Sequence, residues 1–310
     1  MPIEMATAIE DALAAGRPVV ALETTLVSHG LPWPHNLETA RQMAQAVVRE
    51  GAVPAVIGVL DGVVRVGLTQ AEIERFAREP GIAKCATRDL PFVVATGGSG
   101  ATTVSATVEV AARVGIRWMA TGGIGGVHRG AAETGDVSAD LDAIRRSRVV
   151  VVCAGAKIIL DLPRTMEWLE TLGVPVLGWK TDELAGFYTA STGLAVPRIA
   201  DEAALARWCG SWQDLGFPSG VVLAAPPPPG LAMNGAEVTA LVAAAEEAVP
   251  AAERSGKAAT PALLAAMAYL SGGRTVELNR DLIVANAALA ARCATACGLR
   301  PFSTQRRNIT

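Results

Sequence analysis

Of the chain's 27 cationic side chains only four are lysines: Lys84, Lys157, Lys180 and Lys257. Where arginine supplies the surface charge, a lysine is expected to be present for its own chemistry, because an ammonium can lose its proton near neutral pH and attack a carbonyl, whereas a guanidinium cannot. Lys157 closes an apolar run, residues 149–156, that ends in Ala154-Gly155-Ala156. A buried strand that delivers a lysine into a tight turn desolvates the ammonium and lowers its pKa, as a Schiff-base nucleophile requires. A lysine that merely reaches solvent from a strand end fits the same residues, and this segment alone leaves both readings open.

Glu23 follows a second apolar run, inside Ala21-Leu22-Glu23-Thr24-Thr25. At the carboxyl end of a buried strand a carboxyl can have a raised pKa and act as general acid. The motif alone favours the plainer role of a turn or helix-cap carboxylate. The stretch 122–130, Gly122-Gly123-Ile124-Gly125-Gly126-Val127-His128-Arg129-Gly130, is more specific. Its glycines let backbone amides approach an anion, and His128 and Arg129 add donors. It lacks the Lys-Ser/Thr ending of a P-loop and the dinucleotide fingerprint, so ATP and NAD are poorly supported. Asp136-Val137-Ser138-Ala139-Asp140 follows, two acids and a hydroxyl suited to a partly hydrated divalent cation. Ser138 reads equally well as a helix N-cap with acids in its first turn. His29 and His35 flank Pro32-Trp33-Pro34 and read as loop residues. The five cysteines have no disulfide spacing; Cys293 and Cys297 share a helical face without further zinc ligands nearby, so reduced core thiols are expected.

Positioning these groups requires strands that end beside one another. Apolar runs at 18–22, 55–60, 92–96, 118–121, 149–153, 176–179 and 221–225 are expected as strands, and Asp61-Gly62 as a hairpin turn between 56–60 and 63–66. Helices are expected over 38–50, 101–114, 138–147, 158–172, 201–213, 235–254, 260–271 and 280–297. Such alternation predicts an α/β fold in α/β/α layers around a mixed, mostly parallel sheet. Two glycine-rich turns, 96–100 and 121–126, lie twenty-five residues apart. They predict one βαβ unit with both turns at carboxyl strand ends, where open α/β sheets bind ligands. The run Pro226–Pro229 reads as a stiff loop. The helix-dominated segment after it could not form a sheet of its own, so one domain over residues 1–310 is expected.

The composition is 51% hydrophobic but only 4% aromatic, so the core must be built mainly from Ala, Val, Leu and Ile. A net charge of −3 argues against a nucleic-acid or membrane-surface partner. No apolar run spans a bilayer, and Met1-Pro2-Ile3-Glu4 lacks the features of a signal peptide, so a cytoplasmic location is expected.

Taken together, segments 21–30, 88–95, 100–103, 120–130, 136–141 and 152–157, with Gly256-Lys257 and Thr260-Pro261, resemble the pseudouridine-5′-phosphate glycosidase, or indigoidine synthase A-like, family. The match runs through nearly the whole chain. It implies a homotrimer acting on a small molecule with a divalent metal, Mn2+ or Mg2+, and no organic cofactor. It maps the lysine nucleophile onto Lys157, the proton donor onto Glu23 and the metal-linked acid onto Asp136. Substrate contacts fall on Lys84, Val104, His128, Ser138, Ala139, Asp140 and Asn279. The implied chemistry has Lys157 capture C1 of ribose 5-phosphate as a ring-opened imine, through which a carbon-linked aglycone leaves or is added.

The chain departs from the family pattern at Gly98-Ser99, Gly135, Ala185-Gly186, Ala190, Ala225 and Ala285, mostly by losing volume or hydrogen-bonding groups. Those losses are expected to widen and dry the aglycone side. They lean the reading toward a biosynthetic C-glycosynthase acting on a bulky aromatic aglycone, as in the family member that ribosylates the alnumycin polyketide. The alternatives are a degradative pseudouridine-5′-phosphate glycosidase and a sugar-phosphate-binding protein without catalysis. The presence of Glu23, Asp136 and Lys157 together argues against the last.

Overall fold

The computed structural model describes residues 3–254 and 256–298. The extreme ends of the expected domain, and with them Met1 and Pro2, lie outside the described residues. Eleven strands form one mixed sheet. They are β1 (Ile3–Met5), β2 (Val19–Glu23), β3 (Val53–Leu60), β4 (Val63–Val66), β5 (Ala83–Cys85), β6 (Gly100–Thr102), β7 (Trp118–Ala120), β8 (Val150–Cys153), β9 (Val176–Trp179), β10 (Arg198–Ile199) and β11 (Val221–Ala224). The main order is β1-β4-β3-β2-β7-β8-β11-β9-β10, with β5 and β6 branching from β3. Pairing is parallel except where β3 meets β4 and β6.

The central strands β2, β7, β8 and β11 are buried along their whole length. This explains why they read as unbroken apolar runs, since both faces of a parallel sheet are covered. Helix Arg274–Cys297 lies over β2, β7 and β8, flanked by His35–Arg49 and Glu202–Asp214. Helices Val104–Arg113 and Ala139–Ser147 pack together, the former on β2, β3 and β7. The α/β/α expectation therefore holds. The Asp61-Gly62 turn closes the β3–β4 hairpin, both residues having positive φ (50° and 79°) as a type I′ turn needs.

One expected strand is a helix. Residues 92–95 belong to helix Leu90–Ala95, whose first turn carries Pro91, and Thr96 caps its carboxyl end. Leu90 and Val93 are buried while Phe92 is 72% exposed, so the apolar residues follow a spacing of three and not two. A proline in the first helical turn has no amide to lose there. In consequence the turn at 96–100 does not leave a strand end. Its Gly98 carbonyl accepts from the Gly62 amide and its Ser99 hydroxyl from the Asp61 amide, which buttresses the hairpin instead of facing the ligand. Only the second glycine turn serves the site.

Candidate active site

Strand register builds the centre. Leu22 of β2 pairs with Ala120 of β7, which pairs with Val152 of β8. The next residues, Glu23 and Thr121, are thus neighbours across adjacent parallel strands, and the Thr121 hydroxyl donates to Glu23 Oε1. Beyond these ends the turns after β7 and β8 are laced together. The Ala154 amide donates to Gly122 O (2.8 Å), that of Ile124 to Gly155 O (3.1 Å), and that of Lys157 to Ile124 O (3.1 Å). The Lys157 Nζ then folds back to donate to Gly123 O at 2.6 Å. A side chain on Gly123 would put Cβ 2.7 Å from a Phe187 ring carbon and 3.0 Å from Gly155 O, so this close approach demands glycine.

Burial raises the Glu23 carboxyl to about 7, although the Lys157 charge, the Thr121 hydrogen bond and the Lys84 charge pull it down. Burial also lowers Lys84, assisted by the Lys157 charge. His128 is lowered mainly by burial, against the pull of Asp136, which leaves a neutral imidazole at neutral pH. Lys84 Nζ donates to Lys257 O (3.0 Å), and Lys257 Nζ pairs with Asp89 at 2.7 Å.

The acidic motif divides its labour. Asp140 is buried, and its two oxygens accept the amides of Ser105 and Gly125, both at 2.8 Å. It clamps the glycine turn to the start of helix Val104–Arg113, so its carboxylate is engaged by backbone within the chain. Ser138 caps helix Ala139–Ser147 by accepting from the Asp140 amide (3.2 Å), as the cap reading expects. Val104 and Ala139 each begin a helix that opens on the cavity, so two positive helix ends face it. Asp136 Oδ2 accepts from the Gly256 amide (2.8 Å) and lies 3.9 Å from His128 Nδ1. Among the described residues no group of three or more His, Cys, Asp or Glu side chains is placed to hold a metal. One carboxylate beside an imidazole fits a hydrated hard cation completed by water and substrate oxygens, not a protein cage.

All ten residues expected at the site line one cavity of about 590 Å³: Glu23, Lys84, Val104, His128, Asp136, Ser138, Ala139, Asp140, Lys157 and Asn279. Asn279 is buried, and its Oδ1 has no hydrogen-bond partner within the described residues. The cavity also includes residues that sequence reasoning passed over. Thr121 is one; His29, read as a loop histidine, is another; Phe187 is the third. Phe187 is buried at φ 63°, a conformation costly for a bulky side chain, with its amide bonded to Ala154 O. No local sequence signal marks that strain.

The departures are mostly elsewhere. Gly135 lines the cavity. Gly98 and Ser99 contact the hairpin, Ala185 is buried against Gly155, Ala190 is exposed, Ala225 bonds to Cys153 O, and Ala285 lines a separate depression beside Gln42 and Arg49. The expected widening of the aglycone side therefore rests on Gly135 alone, because proximity in sequence to site motifs does not place the other positions on the cavity wall.

Comparison with known proteins agrees with this architecture. Residues 8–296 match the model of the indigoidine synthase A-like protein family. A pseudouridine-5′-phosphate glycosidase of Hahella chejuensis is 46% identical over 299 residues, covering 94% of this chain and 97% of that one. One from Roseiflexus sp. is 50% identical, covering 95% of each. Among solved structures, the prealnumycin C-glycosynthase AlnA in complex with ribulose 5-phosphate is 40% identical with a TM-score of 0.87, over 96% of this chain and 97% of that one. An indigoidine synthase A-like protein of Thermotoga maritima is 35% identical with a TM-score of 0.88 over the same shares. In sequence and fold the chain belongs to the indigoidine synthase A-like family, as an enzyme of the C-glycosidase and C-glycosynthase type.

Proposed function

We propose that this enzyme cleaves the carbon–carbon bond between C1′ of pseudouridine 5′-phosphate and its base, giving uracil and ribose 5-phosphate with uptake of one water. The observation that carries the reading is the pairing, in one cavity, of a carboxyl raised to about 7 with a lysine amine anchored on Gly123. In the cleavage direction the Lys157 amine adds to C1′ as the C1′–O4′ bond breaks, and the proton shed by the nitrogen passes to O4′, which becomes a free hydroxyl. Glu23 then gives its proton to C5 of the base while the C1′–C5 electron pair moves onto that carbon and the nitrogen lone pair closes an imine. Water releases ribose 5-phosphate and returns the lysine. Thr121 holds Glu23 in place. Lys84 and the two helix starts at Val104 and Ala139 suit the phosphate.

Asp136, with His128 beside it, would hold a hydrated Mn2+ or Mg2+, which would supply charge to orient the sugar phosphate. The homotrimer of the resemblance is carried into this proposal, and sedimentation equilibrium checks it.

A second reading, synthesis on a fused aromatic acceptor, draws on the likeness to the C-glycosynthase and on the side-chain-free Gly135 at the cavity wall. It runs the same steps backwards. The test common to both is borohydride reduction in the presence of ribose 5-phosphate. Wild type should gain the mass of a reduced adduct on Lys157, while Lys157→Ala and Lys157→Arg should gain none and release no uracil. Turnover by either variant above a blank removes Lys157 from this role.

A further inference from the structure

We infer that Asn286 is a positioning residue for the reaction, holding from behind the three-residue segment from which both Glu23 and Lys157 hang. This role presupposes that Glu23 and Lys157 are the acid and the nucleophile, but the contacts that point to it lie behind the cavity wall. The Thr121 hydroxyl donates to Glu23 Oε1, and two residues on Gly123 O accepts from Lys157 Nζ at 2.6 Å. The placement of the two reacting groups relative to each other is therefore set through Thr121, Gly122 and Gly123.

On one side this segment is tied to the turn and strand beside it. The Thr121 amide donates to Val152 O (3.0 Å), and Gly122 O accepts from the Ala154 amide (2.8 Å). The other tie comes from far along the chain. Asn286 Nδ2 donates to Thr121 O at 2.9 Å and, at the longer distance of 3.4 Å, to Gly122 O. Helix Arg274–Cys297 also touches the segment directly, since a Cβ on Gly122 would lie 2.9 Å from Ile283 Cγ1.

Asn286 is costly where it stands. It lies inside that helix, where asparagine is a poor helix former, and it is buried with Leu282, Ile283, Ala290 and Cys293 around it. A carboxamide is destabilising in such a place unless its hydrogen bonds are made. The two carbonyls explain the residue. Both can only accept, and a primary amide nitrogen carries two hydrogens, one for each. An ionised aspartate would present acceptors to them, and a leucine of similar shape would present nothing.

Asn286→Leu keeps the shape and removes the donor. Its kcat for pseudouridine 5′-phosphate and its rate of borohydride trapping on Lys157 should each fall about tenfold or more, because a small displacement of a reacting group is costly in rate. Ribitol 5-phosphate has no carbonyl and forms no imine. It should bind the variant with the wild-type Kd by calorimetry, since Lys84 and the two helix starts do not hang on this segment. The pH profile separates positioning from stability. The Thr121 hydroxyl holds the Glu23 carboxyl down against burial, so a loosened Thr121 should move the alkaline limb of kcat to higher pH. If the leucine variant does not fold, Asn286→Ala, smaller and a better helix former, is read by the same measurements. Wild-type kcat overturns the inference, and so does a lower kcat with the alkaline limb and the trapping rate unmoved. Wild type that is not trapped by ribose 5-phosphate overturns the reading of Lys157 and this role with it. Trapping of wild type on Lys157 with no change in Asn286→Leu overturns this inference alone.

Discussion

Lys157 Nζ donates to the carbonyl oxygen of Gly123 at 2.6 Å, and the Phe187 ring packs against the Cα of that glycine. The anchor of the candidate nucleophile is therefore held in place by a strained aromatic residue. Gly123→Ala must push against Phe187 or Gly155 O and so move that carbonyl. A displacement of about 1 Å at a reacting group costs about 100-fold in rate. We expect a loss of that order in kcat and in the rate of borohydride trapping. Phe187→Ala, added to Gly123→Ala, should recover part of it by making room. Full activity in Gly123→Ala would show that the Lys157–Gly123 contact does not matter to catalysis.

Glu23 should leave a signature in stability as well as in rate. Its carboxyl rises from an ordinary 4.5 to about 7, through burial above all. The folded state therefore holds this proton more tightly than the unfolded chain does. The contribution is fully present below about pH 4.5 and is lost as pH rises through about 7, by roughly 3 kcal/mol in all. Urea unfolding at pH 5 and pH 8 should show wild type losing more stability between the two than Glu23→Gln. In cleavage the protonated form is required, so kcat should fall above about pH 7. Equal pH slopes in the two proteins would mean that Glu23 does not titrate in this range.

How far the sequence discloses such groups depends on whether a residue's role is written in its own neighbourhood. Lys157 and Glu23 close apolar runs whose unbroken character reflects strands buried on both faces, so their placement at strand ends was legible. So were Ser138 as a cap and the Asp61-Gly62 hairpin. The proximity of Glu23 to Thr121 was not, because it depends on the register of β2 against β7. The run at 92–96 is rich in valine, yet its burial follows a helical spacing that only packing discloses. Phe187 and His29 were missed for a related reason. Positive φ at an aromatic residue and a place on the cavity wall are properties of tertiary structure, with no local composition to announce them.

Metal dependence should follow the charge of Asp136. Its Oδ2 already accepts from the Gly256 amide, which ties it to the start of helix Gly256–Leu270. Asp136→Asn can keep that hydrogen bond through its carbonyl oxygen while removing the charge that a hard cation needs. We expect the variant to melt like wild type and to bind Mn2+ at least about tenfold more weakly by electron paramagnetic resonance titration, with a parallel loss of metal-stimulated turnover. If chelated wild type and Asp136→Asn both turn over at the full rate, Asp136 is a latch for that helix and nothing more.

The aglycone is the sharpest point of division, and Gly135 is where it can be tested. Gly135 lines the cavity at φ 66° with no atom within 4 Å of a built Cβ, so a side chain there meets backbone strain but no steric obstacle. Because the other small-residue departures lie off the cavity wall, uracil recognition need not have been lost. Wild type should then process pseudouridine 5′-phosphate with a kcat/KM about 100-fold or more above that for coupling ribose 5-phosphate to a fused aromatic acceptor, as expected of a site whose polar groups remain paired with the base. Gly135→Ala isolates the cost of positive φ, and Gly135→Phe adds bulk to it. Relative to the alanine variant, the phenylalanine should suppress any coupling to the fused acceptor far more than it weakens ribose 5-phosphate binding. A wild type that prefers the fused acceptor, and that loses this preference in Gly135→Phe, would replace the glycosidase reading with the synthetic one.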